Sequence, residues 1–206
     1  MTTTLYFVRH GETLWNAEKR MQGHLNSNLT AAGINQATLL GKAFKDETIA
    51  KCFTSDSPRA LATAELVTAY LPVTPEVSPA LREIGMGSWE GRTRQDIKKN
   101  DPVEWQRFWE EPHLFVGDNG GETFEVLETR SINQLQTIIN DHPDQKILIV
   151  SHRLTIKTMI NHLLGEPLDS LNNLADVLPN SLTIMEVTGN QRKLLSYSDV
   201  SHYTNL

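Results

Sequence analysis

The chain has 206 residues and a mass of 23.2 kDa, against roughly 150 residues for a typical domain, so one sizeable core with an elaboration is expected. A formal net charge of −6 and a pI near 5.6 exclude a general binder of nucleic acid or anionic membrane, which needs a basic face; any anion site has to be local. The lone cysteine, Cys52, excludes an internal disulfide and a cysteine-based zinc site, and points to a reducing compartment.

The first strand-like run is Leu5 to Val8, too short for a signal peptide and with no basic segment before it, so a cytoplasmic protein is expected, read as one domain over residues 1–206. Arg9-His10-Gly11-Glu12-Thr13 follows directly, placing a cation, an imidazole and a permissive backbone at the strand's carboxyl end, where open α/β sheets bind ligands. Thr30 is set to cap a helix whose buried side takes Ile34, Ala37, Leu39, Leu40 and Phe44. Ile49 to Thr54 reads as a strand with Cys52 inert inside it, and Ser57-Pro58 as a cap and first position of the next helix. Arg59 then falls in the first helical turn, where the helix dipole disfavours a cation by about 0.3–1 kcal/mol unless an anion lies between. A solvated surface arginine is the alternative.

Leu81-Arg82-Glu83-Ile84 offers a carboxylate as proton donor, or else a surface glutamate paired with Arg82. Residues 85–121, with glycines at both ends and Trp105, Phe108 and Trp109 at helical spacing, read as an insertion over the sheet's edge: a satellite core, or a lid with apolar substrate contacts. A long helix spans about Glu122 to Asp141 and ends at His142-Pro143. Lys146 to Val150 is a buried strand delivering Ser151-His152-Arg153 to a helix running from about Leu154 to Leu164, stopped by Gly165 and Pro167. Strands at Ser181 to Val187 and Lys193 to Tyr197 close the chain. Strands separated by helical patterns rather than tight turns predict a mostly parallel sheet with helices on both faces.

Three strand ends thus carry Arg9, His10, Arg59, His152 and Arg153, which together describe a dianion pocket. Phosphoryl transfer needs neutralised charge, a nucleophile and a proton donor for the leaving oxygen. A neutral imidazole can attack if its other nitrogen is held as a donor, while the second histidine stays cationic against the phosphate. The seven histidines include no His-Glu-x-x-His pair and no Walker phosphate loop is present, so the economical chemistry uses no metal and no cofactor, on a small phosphate ester.

With these motifs the chain resembles the histidine phosphatase superfamily, in the branch similar to cofactor-dependent phosphoglycerate mutase. The matching blocks are Arg9-His10-Gly11-Glu12-Thr13 with Asn16, Gln22-Gly23 and Leu29-Thr30; Ser55-Asp56-Ser57-Pro58-Arg59; Leu81-Arg82-Glu83; Trp89-Glu90-Gly91; Gly121-Glu122-Thr123; and Val150-Ser151-His152. The resemblance implies a three-layer α/β/α sandwich, His10 as phosphorylated nucleophile, Arg9, Arg59 and His152 as ligands of the phosphoryl group, and Glu83 as general acid, then base. It implies further that Asn16 helps hold the phosphate and that Gln22 and Gly23 approach the organic part of the substrate. Arg153 stands where the family usually has glycine, as a substrate clamp or an obstruction, and Asn26 and Asn28 replace an Asp and a Pro. A mutase needs an extra basic cluster; Arg92, Arg94, Lys98, Lys99 and Arg107 stand among acids with no adjacent pair, so a phosphatase is expected, with a mutase or a non-catalytic phosphate-ester-binding module as alternatives.

Overall fold

Side chains alternate across the strands, and that alternation divides the core into two layers. The computed structural model describes residues 1–204; residues 205 and 206, the end of the domain expected from the sequence, lie outside the described residues. Six strands form one mixed sheet: β1 (Thr2–Arg9), β2 (Lys51–Thr54), β3 (Pro75–Val77), β4 (Lys146–Ser151), β5 (Leu182–Thr188) and β6 (Gln191–Asp199). The order is β3-β2-β4-β1-β5-β6, with the first four parallel and β5 and β6 antiparallel. The helices are α1 (Leu14–Ala17), α2 (Ala31–Ala43), α3 (Pro58–Thr68), α4 (Arg94–Asn100), α5 (Pro102–Glu110), α6 (Phe124–Asp141), α7 (Arg153–Leu163) and α8 (Ser201–Thr204).

Tyr6, Val8, Cys52, Leu148 and Val150 face α2 and α3, packing on Ala37, Leu40, Ala64 and Val67. Their strand neighbours Leu5, Phe7, Phe53, Ile147 and Ile149 face the opposite way, onto Leu135 and Ile138 of α6 and Ile156, Met159 and Ile160 of α7. The result is the three-layer sandwich expected from the sequence. Cys52 is fully buried, and its thiol is pushed up to about 12 by that burial, as an inert core residue requires.

Several local expectations need correction. Ile34 is 45% exposed, because α2 turns its first apolar residue into a surface groove beside Leu29 and Leu66 instead of onto the sheet. Thr30 caps α2 as read, accepting from the Gly33 amide at 3.0 Å, but Ser57 makes no side-chain cap bond. β5 and β6 are joined by the two-residue turn Gly189-Asn190, not by a helical segment; Gly189 has φ +55°, which glycine adopts without strain. β3 carried no periodic signal, since three residues beginning with Pro75 are too few to show one.

The helical segment within 85–121 lies over the cleft. Its Trp89, Ile97, Phe108 and Phe115 pack with Met21, Phe124, Leu127 and Leu154, over the carboxyl end of the sheet. Phe108 is the hub, with the rings of Trp89, Trp109, Phe115 and Phe124 all within 5.6 Å of its own between centroids. Phe108→Ala is expected to cost about 3–5 kcal/mol in urea unfolding, the value for emptying an aromatic core site. A loss below about 1 kcal/mol would show that the segment packs loosely.

Candidate active site

Strands β2, β4 and β1 are neighbours in the sheet, so their carboxyl ends emerge side by side. Pairing of β1 with β4 sets Arg9 opposite Ser151, and the His10 amide donates to the Ser151 carbonyl at 2.9 Å. His10 and His152 therefore leave adjacent strands at the same level, and their ring centroids stand 5.0 Å apart, near enough for one tetrahedral oxyanion to touch both. On the other side of β4, Thr54 lies opposite Val150, and the chain beyond it carries Ser55 and then Arg59 in the first turn of α3. A cleft opens at this junction. Arg9, His10, Arg59, Glu83 and Arg153 line it with Asn16, Gln22 and Gly23, while His152 lies fully buried behind His10.

His10 Nδ1 is 2.8 Å from the Gly11 carbonyl oxygen, which can only accept, so Nδ1 carries the hydrogen and Nε2 keeps a free lone pair. Burial, then Arg59 and Arg9, hold this imidazole well below its ordinary 6.5, so it is neutral. Burial does the same to His152, followed by Arg59 and His10. The second ring is thus neutral as well, with guanidinium groups around it and no solvent reaching it. His152 Nε2 lies 2.9 Å from Ser55 Oγ, and its Nδ1 has no partner.

The cations are held by carbonyls. Arg9 Nη1 donates to Val177 at 2.7 Å, and Arg59 donates through Nη1 to Leu25 at 2.6 Å and through Nη2 to Gly23 at 2.8 Å. Burial lowers both to about 10, which leaves them charged at neutral pH, and the Nε of each is buried without a partner. Arg59 is thus no solvated surface residue. Gly23 serves through its backbone: at φ +51° its carbonyl meets Arg59, and a Cβ there would stand 2.1 Å from Glu90 Oε1.

Glu83 is 7% exposed and does not pair with Arg82, which binds Asp56 instead. Its Oε1 accepts from the Ile84 amide at 3.1 Å and from the Thr155 amide and hydroxyl at 3.2 Å; Oε2 accepts only from the Leu154 amide, also at 3.2 Å. The carboxylate therefore occupies the start of α7, where amides lack helical partners. Asn16 spends its Oδ1 on the Thr13 amide and hydroxyl at 3.1 Å, which leaves its Nδ2 for the cleft, and Gln22 Oε1 accepts from Ser27 Oγ at 3.2 Å.

Arg153 does not obstruct the pocket. Its Nε donates to Asp176, and its guanidinium lies 4.7 Å from the centre of the Trp109 ring. Arg94 approaches the same ring at 5.6 Å, and Arg20 also lines the cleft. The expected lack of an extra basic cluster is therefore wrong: Arg94 has no basic neighbour in sequence, but α4 brings it beside Arg153. Sequence reasoning also missed Ser55, Thr155 and Thr63, whose Oγ1 accepts from the Gly11 amide at 3.0 Å. Asn26, one of the departures from the family pattern, caps α3 through Oδ1, which accepts from the Arg59 amide at 3.2 Å, the role assigned to Ser57.

The sequence model of the histidine phosphatase superfamily (branch 1) matches residues 5–200. A metal-independent phosphoserine phosphatase of Arabidopsis thaliana is 28% identical over 207 residues, 99% of this chain and 84% of that protein. A probable phosphoglycerate mutase, GpmB, of Yersinia pestis is 32% identical over 168 residues, 79% of this chain and 75% of that one. Among solved structures, YhfR of Bacillus stearothermophilus is similar with a TM-score of 0.92 and 40% identity, covering 97% of this chain and 98% of that chain.

The two depressed imidazoles make stability depend on pH. Below 6.5 the unfolded chain protonates both rings and the fold does not, so stability is fully present above that pH and falls with acid, at up to about 1.4 kcal/mol per pH unit for each ring. Urea unfolding at about pH 5 and pH 7.5 is expected to show a smaller acid loss in His152→Asn than in the parent, because one titrating ring is gone. Equal losses in the two proteins would overturn the assignment of a buried neutral His152.

Proposed function

Because the chain belongs to the histidine phosphatase superfamily, we propose that it hydrolyses small phosphate monoesters through a phosphohistidine on His10. The observation that carries this reading is the His10 Nδ1 contact to the Gly11 carbonyl, which frees Nε2 in a pocket of carbonyl-anchored arginines. Simple binding needs no such lone pair. His10 Nε2 attacks phosphorus while Arg9 and Arg59 neutralise the non-bridging oxygens through the Nε groups that now lack partners. Ser55 Oγ occupies His152 Nε2, so Nδ1, buried without a partner, is the nitrogen left to face the same phosphoryl group.

Glu83 acts as the acid. Oε2 has one donor against three on Oε1, so Oε2 is the oxygen with room to carry a proton. It passes that proton to the departing alkoxide as the P–O bond breaks. It then takes one from the water that attacks the phosphohistidine, releasing inorganic phosphate and restoring His10. The mouth of the cleft, where Arg94 is exposed and Asn16 half-exposed, admits that water. Among the described residues no three His, Cys, Asp or Glu side chains converge as a metal ion would need. No helix among them is long and apolar enough to cross a membrane.

A second reading, a mutase, draws support from the pairing of Arg94 with Arg153, since a bisphosphate intermediate needs cations for both ends. Priming with 2,3-bisphosphoglycerate separates the two: faster interconversion of 3- and 2-phosphoglycerate than phosphate release would favour the mutase. The Arabidopsis relative that spans nearly the whole chain supports the hydrolase.

His10→Ala is expected to abolish phosphate release, while chelator leaves the parent unaffected. Glu83→Gln is expected to lower kcat by about 10²–10⁴-fold on alkyl phosphates, the usual weight of general acid–base catalysis. It should lower kcat much less on 4-nitrophenyl phosphate when phosphoryl transfer to His10 is followed as the nitrophenolate burst, because that leaving group departs without a proton. Equal losses in both assays would remove Glu83 as the acid.

A further inference from the structure

The outer half of the cleft holds hydrogen-bond donors with nothing to donate to. Arg153 Nη1 and Trp109 Nε1 are both buried without a partner, and Arg94 has no ion-pair partner among the described residues; all three residues line the cleft. They come from separate parts of the chain, Arg153 from the start of α7, Arg94 and Trp109 from α4 and α5. Both guanidinium groups lie against the one indole ring, at 4.7 and 5.6 Å.

Folding gathers like charge here at a cost that nothing in the protein fully offsets. Asp176 engages only Nε of Arg153, and the other cleft cation of this rim, Arg20, is already paired with Glu18. Arg9, buried beneath this rim, is lowered first by its burial and then by Arg153. The inner arginines, Arg9 and Arg59, suffice for one phosphoryl group, so the outer cations are surplus to it. Arg153 follows His152 directly in the chain, which makes the outer donors contiguous with the inner site.

We propose that Arg94, Arg153 and Trp109 Nε1 form a second oxyanion subsite, so that the preferred substrates are phosphate monoesters bearing another anionic group a few bonds from the ester oxygen. This rests on the phosphomonoesterase reading above and adds the substrate class to it. A carboxylate and a second phosphate share the required chemistry; a bidentate guanidinium accepts either.

Two matched pairs of probes distinguish them: 3-phosphoglycerate against glycerol 3-phosphate, and propane-1,3-diol bisphosphate against 3-hydroxypropyl phosphate. The charged member of at least one pair is expected to have a kcat/KM about tenfold or more above its neutral partner, mainly through KM, the factor of one well-placed ionic hydrogen-bond pair. In Arg94→Ala and Arg153→Gly that preference should shrink severalfold. Which pair responds identifies the anion. A parent enzyme indifferent to charge in both pairs, or a preference that survives both substitutions, would overturn the subsite. Calorimetric binding of the same probes to His10→Ala tests it without turnover: tighter binding of a charged probe supports the subsite and equal binding refutes it. Lack of phosphate release by the parent would instead sink the phosphomonoesterase reading alone.

Discussion

The parallel pairing of β1 with β4 is the constraint on which the candidate site depends. Thr4 opposite Lys146 fixes a register that ends with Arg9 opposite Ser151, so two imidazoles separated by 142 residues leave the sheet at one height. A slip of one residue would turn Leu5 and Phe7 toward α2 and α3 and reverse every buried side chain of the strand. The hydrophobic layers therefore oppose a one-residue slip, which would take Leu5 and Phe7 off α6 and α7.

Charge is managed by the backbone at this junction. Carboxylate partners for Arg9 and Arg59 would have lowered the cost of burying them, but would also have cancelled the field a dianion needs. Carbonyls of Val177, Leu25 and Gly23 fix the guanidinium groups without neutralising them. Burial first, and then the same surplus of positive charge, keeps both imidazoles neutral. The net negative charge of the whole chain, −6, makes this a local property and discourages indiscriminate anion binding elsewhere.

Much of this was legible in the sequence because the informative residues sit at strand ends. An apolar run followed by Arg-His or Ser-His-Arg marks both the strand and what it delivers, so Arg9, His10, Arg59 and His152 could be named from the residues themselves. The caps at Thr30 and the stop at Gly165 were legible for the same local reason. What stayed hidden depends on distance in space. Asn26 supplies the cap that Ser57 was expected to give, and nothing in the local pattern links a loop residue to a helix 33 positions on. Arg94 looked like one base among several acids until α4 carried it to Arg153. The tight Gly189-Asn190 connection escaped because the last two strands were read with the alternation of the earlier ones.

One helix start organises Glu83, the second imidazole and Arg153 together. His152 occupies the N-cap position of α7, Arg153 is its first residue, and the amides of Leu154 and Thr155 hold Glu83. These groups share one helix start, whereas Arg94 and Trp109 belong to α4 and α5, whose aromatic residues pack against it through Leu154. Drift in the sequence of α4 and α5 can accordingly reshape what the cleft selects while the bond-breaking apparatus stays untouched. A change at the head of α7 has no such freedom, and this division of labour is a route by which one scaffold can acquire new substrates.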